Sequence, residues 1–148
     1  MEKNNSPIVV GSDHAGYEMK EYVKKYLSQK GISFEDCSSA NYDPSDDYPV
    51  PAFKLAKSIA NGQYNRGILL CGSGIGASIA ANRIKGVRAA LCTSPEMAKL
   101  ARFHNDSNVL VLGGRTTTQE MVEQIIDAWL SNEFEGGRHQ KRIELLDS

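Results

Sequence analysis

Residues 66–83 (RGILLCGSGIGASIAANR) constrain the fold most, because an apolar run there turns into a glycine-rich corner and then into an alanine-rich helix. Residues 68–71 have the continuous apolar character of a strand buried on both faces, and Ala77, Ala80 and Ala81 let a helix pack close to a sheet. Gly72, Gly74 and Gly76 stand between them. Alternating glycines let backbone N–H groups converge at the positive end of the helix, which suits an anion or a developing oxyanion. Cys71 sits at the lip of this turn. There it reads either as a base or nucleophile, because a thiolate is favoured beside a helix N-terminus, or as a small packing residue. Gly72-x-Gly74-x-x-Ala77 partly matches a dinucleotide-binding corner, but it lies mid-chain and the strand after it ends in Thr93-Ser94 with no carboxylate for a ribose. No Gly-Lys-Ser/Thr follows the turn, so it is no Walker loop.

The 148 residues suit one domain (1–148) with a core of its own, needing neither disulfides nor a structural metal. Net charge is −1 with both signs interspersed, so no global field draws the chain to nucleic acid or an anionic membrane. No apolar run approaches a membrane span, and the first residues lack a secretory core, so a cytoplasmic location is expected. Cys37, Cys71 and Cys92 are odd in number and lack CxxC spacing, which fits reduced thiols, Cys37 and Cys92 serving as packing.

Along the chain, residues 7–13 read as a first strand turning polar at Ser12-Asp13-His14, and residues 17–29 as an amphipathic helix stopped by Gly31. Residues 32–37 give strand two, and residues 38–50 a long polar loop holding Asp46-Asp47-Tyr48-Pro49. A helix over 51–60 leads to the central strand. Strand four covers 87–92, and Ser94-Pro95-Glu96 caps a helix ending near Phe103-His104-Asn105-Asp106. Strand five covers 108–113, Arg115 follows, and Thr117 or Thr118 opens a helix through Leu130. In the tail, 132–148, Gly136-Gly137 breaks that helix and Arg138 and Arg142 share one face if the arm is helical. Residues 1–6 are expected to be flexible.

Five apolar strands alternating with helices imply a Rossmann-like, three-layer α/β/α domain, its doubly wound five-stranded parallel sheet carrying a C-terminal helical tail. Ligands in such sheets bind beyond the strands' carboxyl ends where the winding reverses. Asp13, His14, Cys71, Ser73, His104, Arg115, Arg138 and Arg142 are expected to collect at that edge as the parts of a phosphosugar enzyme.

Gly11-Ser12-Asp13-His14-Ala15-Gly16, Asp47-Tyr48-Pro49, Cys71-Gly72-Ser73-Gly74-Ile75-Gly76, His104-Asn105-Asp106, Gly113-Gly114-Arg115 and Glu135-Gly136-Gly137-Arg138-His139-x-x-Arg142 together resemble the type B ribose-5-phosphate isomerases, in order along nearly the whole chain. The resemblance implies metal-free, cofactor-free interconversion of ribose 5-phosphate and ribulose 5-phosphate through a cis-enediolate. It implies Cys71 as the base that shuttles the proton and His104 as the group that assists ring opening. Ser73 and the turn Gly72, Gly74, Ile75 and Gly76 would steady the enediolate, while Asp13, Asn105 and Tyr48 would bind the sugar. The phosphate would fall to His14, Arg138, Arg142 and Arg115, so the helix end takes the reacting carbons rather than the phosphate. Some relatives carry a glutamate just past the turn; Ala77 stands there in this chain, as in the cysteine subtype. A homodimer, sometimes a tetramer, with shared sites is also implied. The alternatives are a galactose 6-phosphate or allose 6-phosphate isomerase, which needs a longer gap between Cys71 and the arginines, and a non-catalytic phosphosugar-binding subunit.

Overall fold

The apolar runs form one parallel sheet because three of them are buried on both faces. The structure, a computed structural model, describes residues 6–38 and 41–148. The first five residues, and the expectation of flexibility there, lie outside it. Strands β1 (Ile8–Ser12), β3 (Gly67–Cys71) and β5 (Val109–Gly113) are buried at every position. Strands β2 (Phe34–Asp36) and β4 (Ala89–Leu91) are the edges, and all pairings in the order β2-β1-β3-β5-β4 are parallel.

Successive side chains in a strand point to opposite faces, and this alternation sorts the core. Ile8, Val10, Ile68, Leu70, Leu110 and Leu112 pack on one face, against helices α1 (Tyr17–Gln29), α4 (Pro95–Asn105) and α5 (Gln119–Leu130). Val9, Leu69, Cys71, Val109 and Val111 pack on the other, under α2 (Pro49–Ala60) and α3 (Ile75–Ala81). Right-handed crossovers require this division, since the chain moves outward to β2, back across to β3, on to β4 and back again to β5. Each fully buried Leu or Ile contributes roughly 1.5–3 kcal/mol relative to exposure.

The edge strands are shorter than their apolar runs. Only one side of each is paired, so regular ladder is lost at the ends, although Ile8 N–H still donates to Ser33 O (3.0 Å) and Cys37 N–H to Val10 O (2.9 Å). Helix α2 starts two residues before its expected position, with Pro49 and Pro51 both in the first turn, where a missing N–H costs nothing. The caps at Ser94 and Thr118 form as expected, accepting the N–H of Met97 and of Met121. The tail is helical: α6 (Arg138–Leu146) follows Gly136 and Gly137, both at positive φ.

One buried and one half-buried polar cluster hold the sheet's ends. Lys20, wholly buried on α1, pairs with Asp36 (2.8 Å) and donates to Ser38 Oγ, which in turn accepts the Ser12 N–H at 3.2 Å. Burial disfavours the Asp36 charge, but hydrogen bonds from Lys20, Lys24 and Ser38 outweigh it and hold the carboxyl below its ordinary value. At the opposite end, Asp106 takes a left-handed turn (φ 45°) that closes α4, held by Arg88 (3.4 Å) and Arg102 (3.0 Å).

Candidate active site

The carboxyl ends of β1 and β3, neighbours where the winding reverses, bring Asp13, His14 and Cys71 to one rim. Asp13 is buried and accepts the Gly16 N–H at 3.0 Å, closing the turn into α1. A side chain at Gly16 would lie 2.7 Å from the Leu70 backbone, so only glycine lets β1's turn lie this close to β3. His14 donates its backbone N–H (2.9 Å) and Nδ1–H (2.8 Å) to Asp46 Oδ1 in the polar loop. That bond, aided by the charges of Asp13 and Asp46 and opposed by burial, raises the imidazole above its ordinary value and favours a cation.

Cys71 ends β3 with 5% of its surface exposed, and its Sγ accepts the Gly74 N–H at 3.1 Å. It belongs to the α2/α3 side of the core, yet the turn over it is open: Gly72 and Gly76 are half-buried and Ser73 is exposed. Gly74 sits at φ +82°, where a Cβ would fall 2.5 Å from Leu91 Cδ1. The Tyr48 ring lies over Gly76, occupying the space a side chain there would need. Ser73 Oγ accepts the Ile75 N–H (3.2 Å), and Ile75 itself projects outward. Arg115 reaches the same rim: its N–H donates to Gly72 O (2.9 Å) and its side chain runs past Gly72. The other two thiols behave as packing residues, Cys37 and Cys92 each being pushed up to about 11, chiefly by burial.

The expectation that all the parts gather at this edge fails within one chain. Helix α4 returns from the end of β4 to the start of β5, so His104 and Asn105 lie at the amino edge of the sheet. Five-residue strands separate the two edges by roughly 13 Å of sheet alone. Arg138 and Arg142 go with His104, because α6 docks on the end of α4: His139 stacks on His104 (4.3 Å, 18° between rings) and Glu135 N–H donates to Phe103 O. Both arginines are exposed, and Asn105 borders a groove of about 410 Å³ beside residues 84–90 and the end of α6. His139 is buried, with Nε2 3.4 Å from Glu135; burial first, then the charges of Arg138, His104 and Arg142, hold it below its ordinary value despite Glu135.

Sequence reasoning passed over Asp46 and His139. Asp46 lies 32 residues from the histidine it holds, with only its polar loop as a signal. His139 was legible solely as a member of a longer motif. Among the described residues, two clusters offer metal-ligating atoms within 4.8 Å of one another, Asp13-His14-Asp46 and His104-Glu135-His139. In the first, Asp13 accepts the Gly16 N–H and Asp46 the His14 Nδ1–H; in the second, the two imidazoles stack 18° from parallel.

The sequence pattern of the Ribose/Galactose Isomerase family matches residues 8–146. The chain belongs to this family. The Escherichia coli protein named ribose-5-phosphate isomerase B is 42% identical over 139 residues, covering 94% of this chain and 93% of that protein. A ribose 5-phosphate isomerase structure from Thermotoga maritima superposes with a TM-score of 0.92 at 51% identity, over 96% of this chain and 97% of that one. The Mycoplasma genitalium ribose-5-phosphate isomerase B structure, with bound ribulose-5-phosphate, gives 0.89 at 41% identity over 95% and 93%. Among the described residues of this family member, no helix is long and apolar enough to cross a membrane.

Proposed function

We propose that the protein interconverts D-ribose 5-phosphate and D-ribulose 5-phosphate, as a single-domain cytoplasmic enzyme of the non-oxidative pentose phosphate branch. The observation that carries this reading is the Cys71 thiol, aimed at a glycine-turn N–H 3.1 Å away, in a chain so similar to isomerases of that sugar phosphate. The sulfur lies at the lip of the glycine turn, and a cysteine sulfur is a competent base for a carbon-bound proton.

Each site is completed by a second copy of the chain. A two-fold axis that sets the carboxyl edge of one sheet against the amino edge of its partner joins Cys71 to His104 twice over. The separation of those residues within one chain supports this, as do the apolar side chains left outside, Ile75 and Ile79 (56% exposed) on α3 and Leu145 and Leu146 (65%) on α6. In such a site His104 passes a proton to the ring oxygen while the C1 hydroxyl gives one up, opening the sugar. Cys71 then removes the C2 proton, the charge moves onto the enediolate oxygens beside Ser73 and the N–H groups of Gly72, Gly74, Ile75 and Gly76, the O2 hydroxyl proton passes to O1, and Cys71 returns its proton at C1. Asp13, Tyr48 and Asn105 hold sugar hydroxyls; His14, Arg115, Arg138 and Arg142 hold the phosphate, with arginine forks matching its oxygens.

The test is ribose 5-phosphate in deuterated solvent with purified enzyme: deuterium should enter ribulose 5-phosphate at C1. Binding without exchange would leave a non-catalytic sugar-binding subunit. Faster turnover of galactose 6-phosphate or allose 6-phosphate would move the reading to a six-carbon substrate.

A further inference from the structure

The amino edge of the sheet carries a cationic cavity that the isomerase reading does not use. It measures about 520 Å³ and lies beneath the starts of β3, β4 and β5, where Arg66, Arg88 and Arg102 all enter its wall. Two of these are neutralised: Arg88 pairs with Asp147 (2.8 Å) and Asp106 (3.4 Å), and Arg102 with Asp106 (3.0 Å). Glu133, the other carboxylate of the wall, is already engaged. Arg66 is half-buried, and among the described residues its guanidinium meets no acid and no hydrogen-bond acceptor. Its affinity for a proton is lowered by burial and by the nearby charge of Arg102. Two guanidinium groups in one wall, one of them without a partner among the described residues, face a cavity that holds several water volumes and leave room for negative charge.

We propose that this cavity binds a phosphate-class oxyanion, free or as a monoester, between the Arg66 and Arg102 guanidiniums. The fork of Arg66 supplies the parallel donors such an anion accepts, and the anion relieves both the repulsion and the burial of an uncompensated charge. The site is separate from the proposed phosphate grip of Arg138 and Arg142.

The molecule carries its own reporter. Trp129 is the sole tryptophan, it lines this cavity, and the Arg102 guanidinium lies over its ring at 6.0 Å. An anion that draws on Arg102 changes the indole's surroundings. Titration of the whole protein with inorganic phosphate, at constant ionic strength set by chloride, should give a saturable change in tryptophan fluorescence. Arg66→Gln should raise the midpoint about tenfold or more. Arg66→Lys, which keeps the charge without the fork, should fall between, and Arg142→Gln should leave the midpoint unmoved. A midpoint unchanged in Arg66→Gln, an equal response to chloride, or no saturable response would each overturn the site. Circular dichroism and isomerase activity at the wild-type level in Arg66→Gln would exclude misfolding as the cause of a shift. A glycerol phosphate titration then separates the sources: a lower midpoint than inorganic phosphate assigns the cavity to esters, an equal or higher one to the bare anion.

Discussion

The two edges of the sheet are built on different principles. The carboxyl edge is close-packed: a Cβ would strike backbone or core at Gly16, against Leu70, and at Gly74, against Leu91. The amino edge is assembled from exposed helix ends and an arm. Gly136 and Gly137 there have nothing within 4 Å of an added Cβ, and serve only to turn the chain into α6. A close-packed frame suits the proposed base and oxyanion turn, which must be placed to a fraction of an ångström. Long arginines on an arm suit a terminal phosphate, which tolerates more freedom.

The largest effect that sharpens this contrast is catalytic. Cys71→Ala should lower kcat by roughly 10³-fold or more, by loss of the base, while ribose 5-phosphate still binds. His104→Ala should be impaired too, most on ring-closed substrate. On ring-closed substrate each variant alone should fall far below wild type, yet mixing them with subunit exchange should restore about a quarter of the wild-type sites, since half the dimers are hybrids with one intact site of two. No recovery on mixing would mean that both residues serve one chain's site, and the division between edges would lose its functional meaning.

The next effect is on stability. Gly74→Ala combines a left-handed φ with a collision at 2.5 Å and should cost about 2–4 kcal/mol in denaturant unfolding, whereas Gly136→Ala meets only the backbone penalty of about 1–2 kcal/mol. Equal costs would show that the carboxyl edge yields as readily as the arm.

Much of this arrangement was legible before the structure. Helix α1 falls on its expected residues, 17–29, because Met19, Val23, Tyr26 and Leu27 keep a 3.6-residue period, and the three central strands follow from uninterrupted apolar runs. The position of β5 between β3 and β4 was not legible, since nothing local in residues 109–113 distinguishes an inner slot from an edge. The error over His104, Arg138 and Arg142 came from gathering residues by chemical type. Their side chains suit a phosphosugar, but a crossover helix runs opposite to its strands, and His104 at the end of α4 belongs to the amino edge for that reason alone. The pairing of His14 with Asp46 depends on a loop path that composition does not encode.

A smaller effect tests the arm. Arg142→Ala should raise KM for ribose 5-phosphate about tenfold or more through a lost charge-assisted contact, with a lesser change in kcat. A drop in kcat at constant KM would place Arg142 with the reacting carbons and make the arm part of the close-packed frame. Loss of both parameters in Gly136→Ala would point the same way.

The smallest effect is electrostatic, and its sign differs between the edges. His14 is raised by Asp46, so its contribution to stability is present below the ordinary value of 6.5 and fades as pH rises through the higher folded value. His139 is lowered, so the unfolded chain takes up the proton more readily, and its contribution is present above 6.5 and is lost as pH falls toward the lower folded value. Unfolding midpoints between pH 5 and 8 should therefore separate two variants. His14→Gln should fall furthest below wild type at the acid end and converge with it at the alkaline end. His139→Gln should close on wild type as the pH drops, because it has no buried imidazole to protonate. Parallel profiles for the two variants would mean that the carboxylate beside His14 and the burial of His139 do not set opposite preferences, and the edges would differ in packing alone.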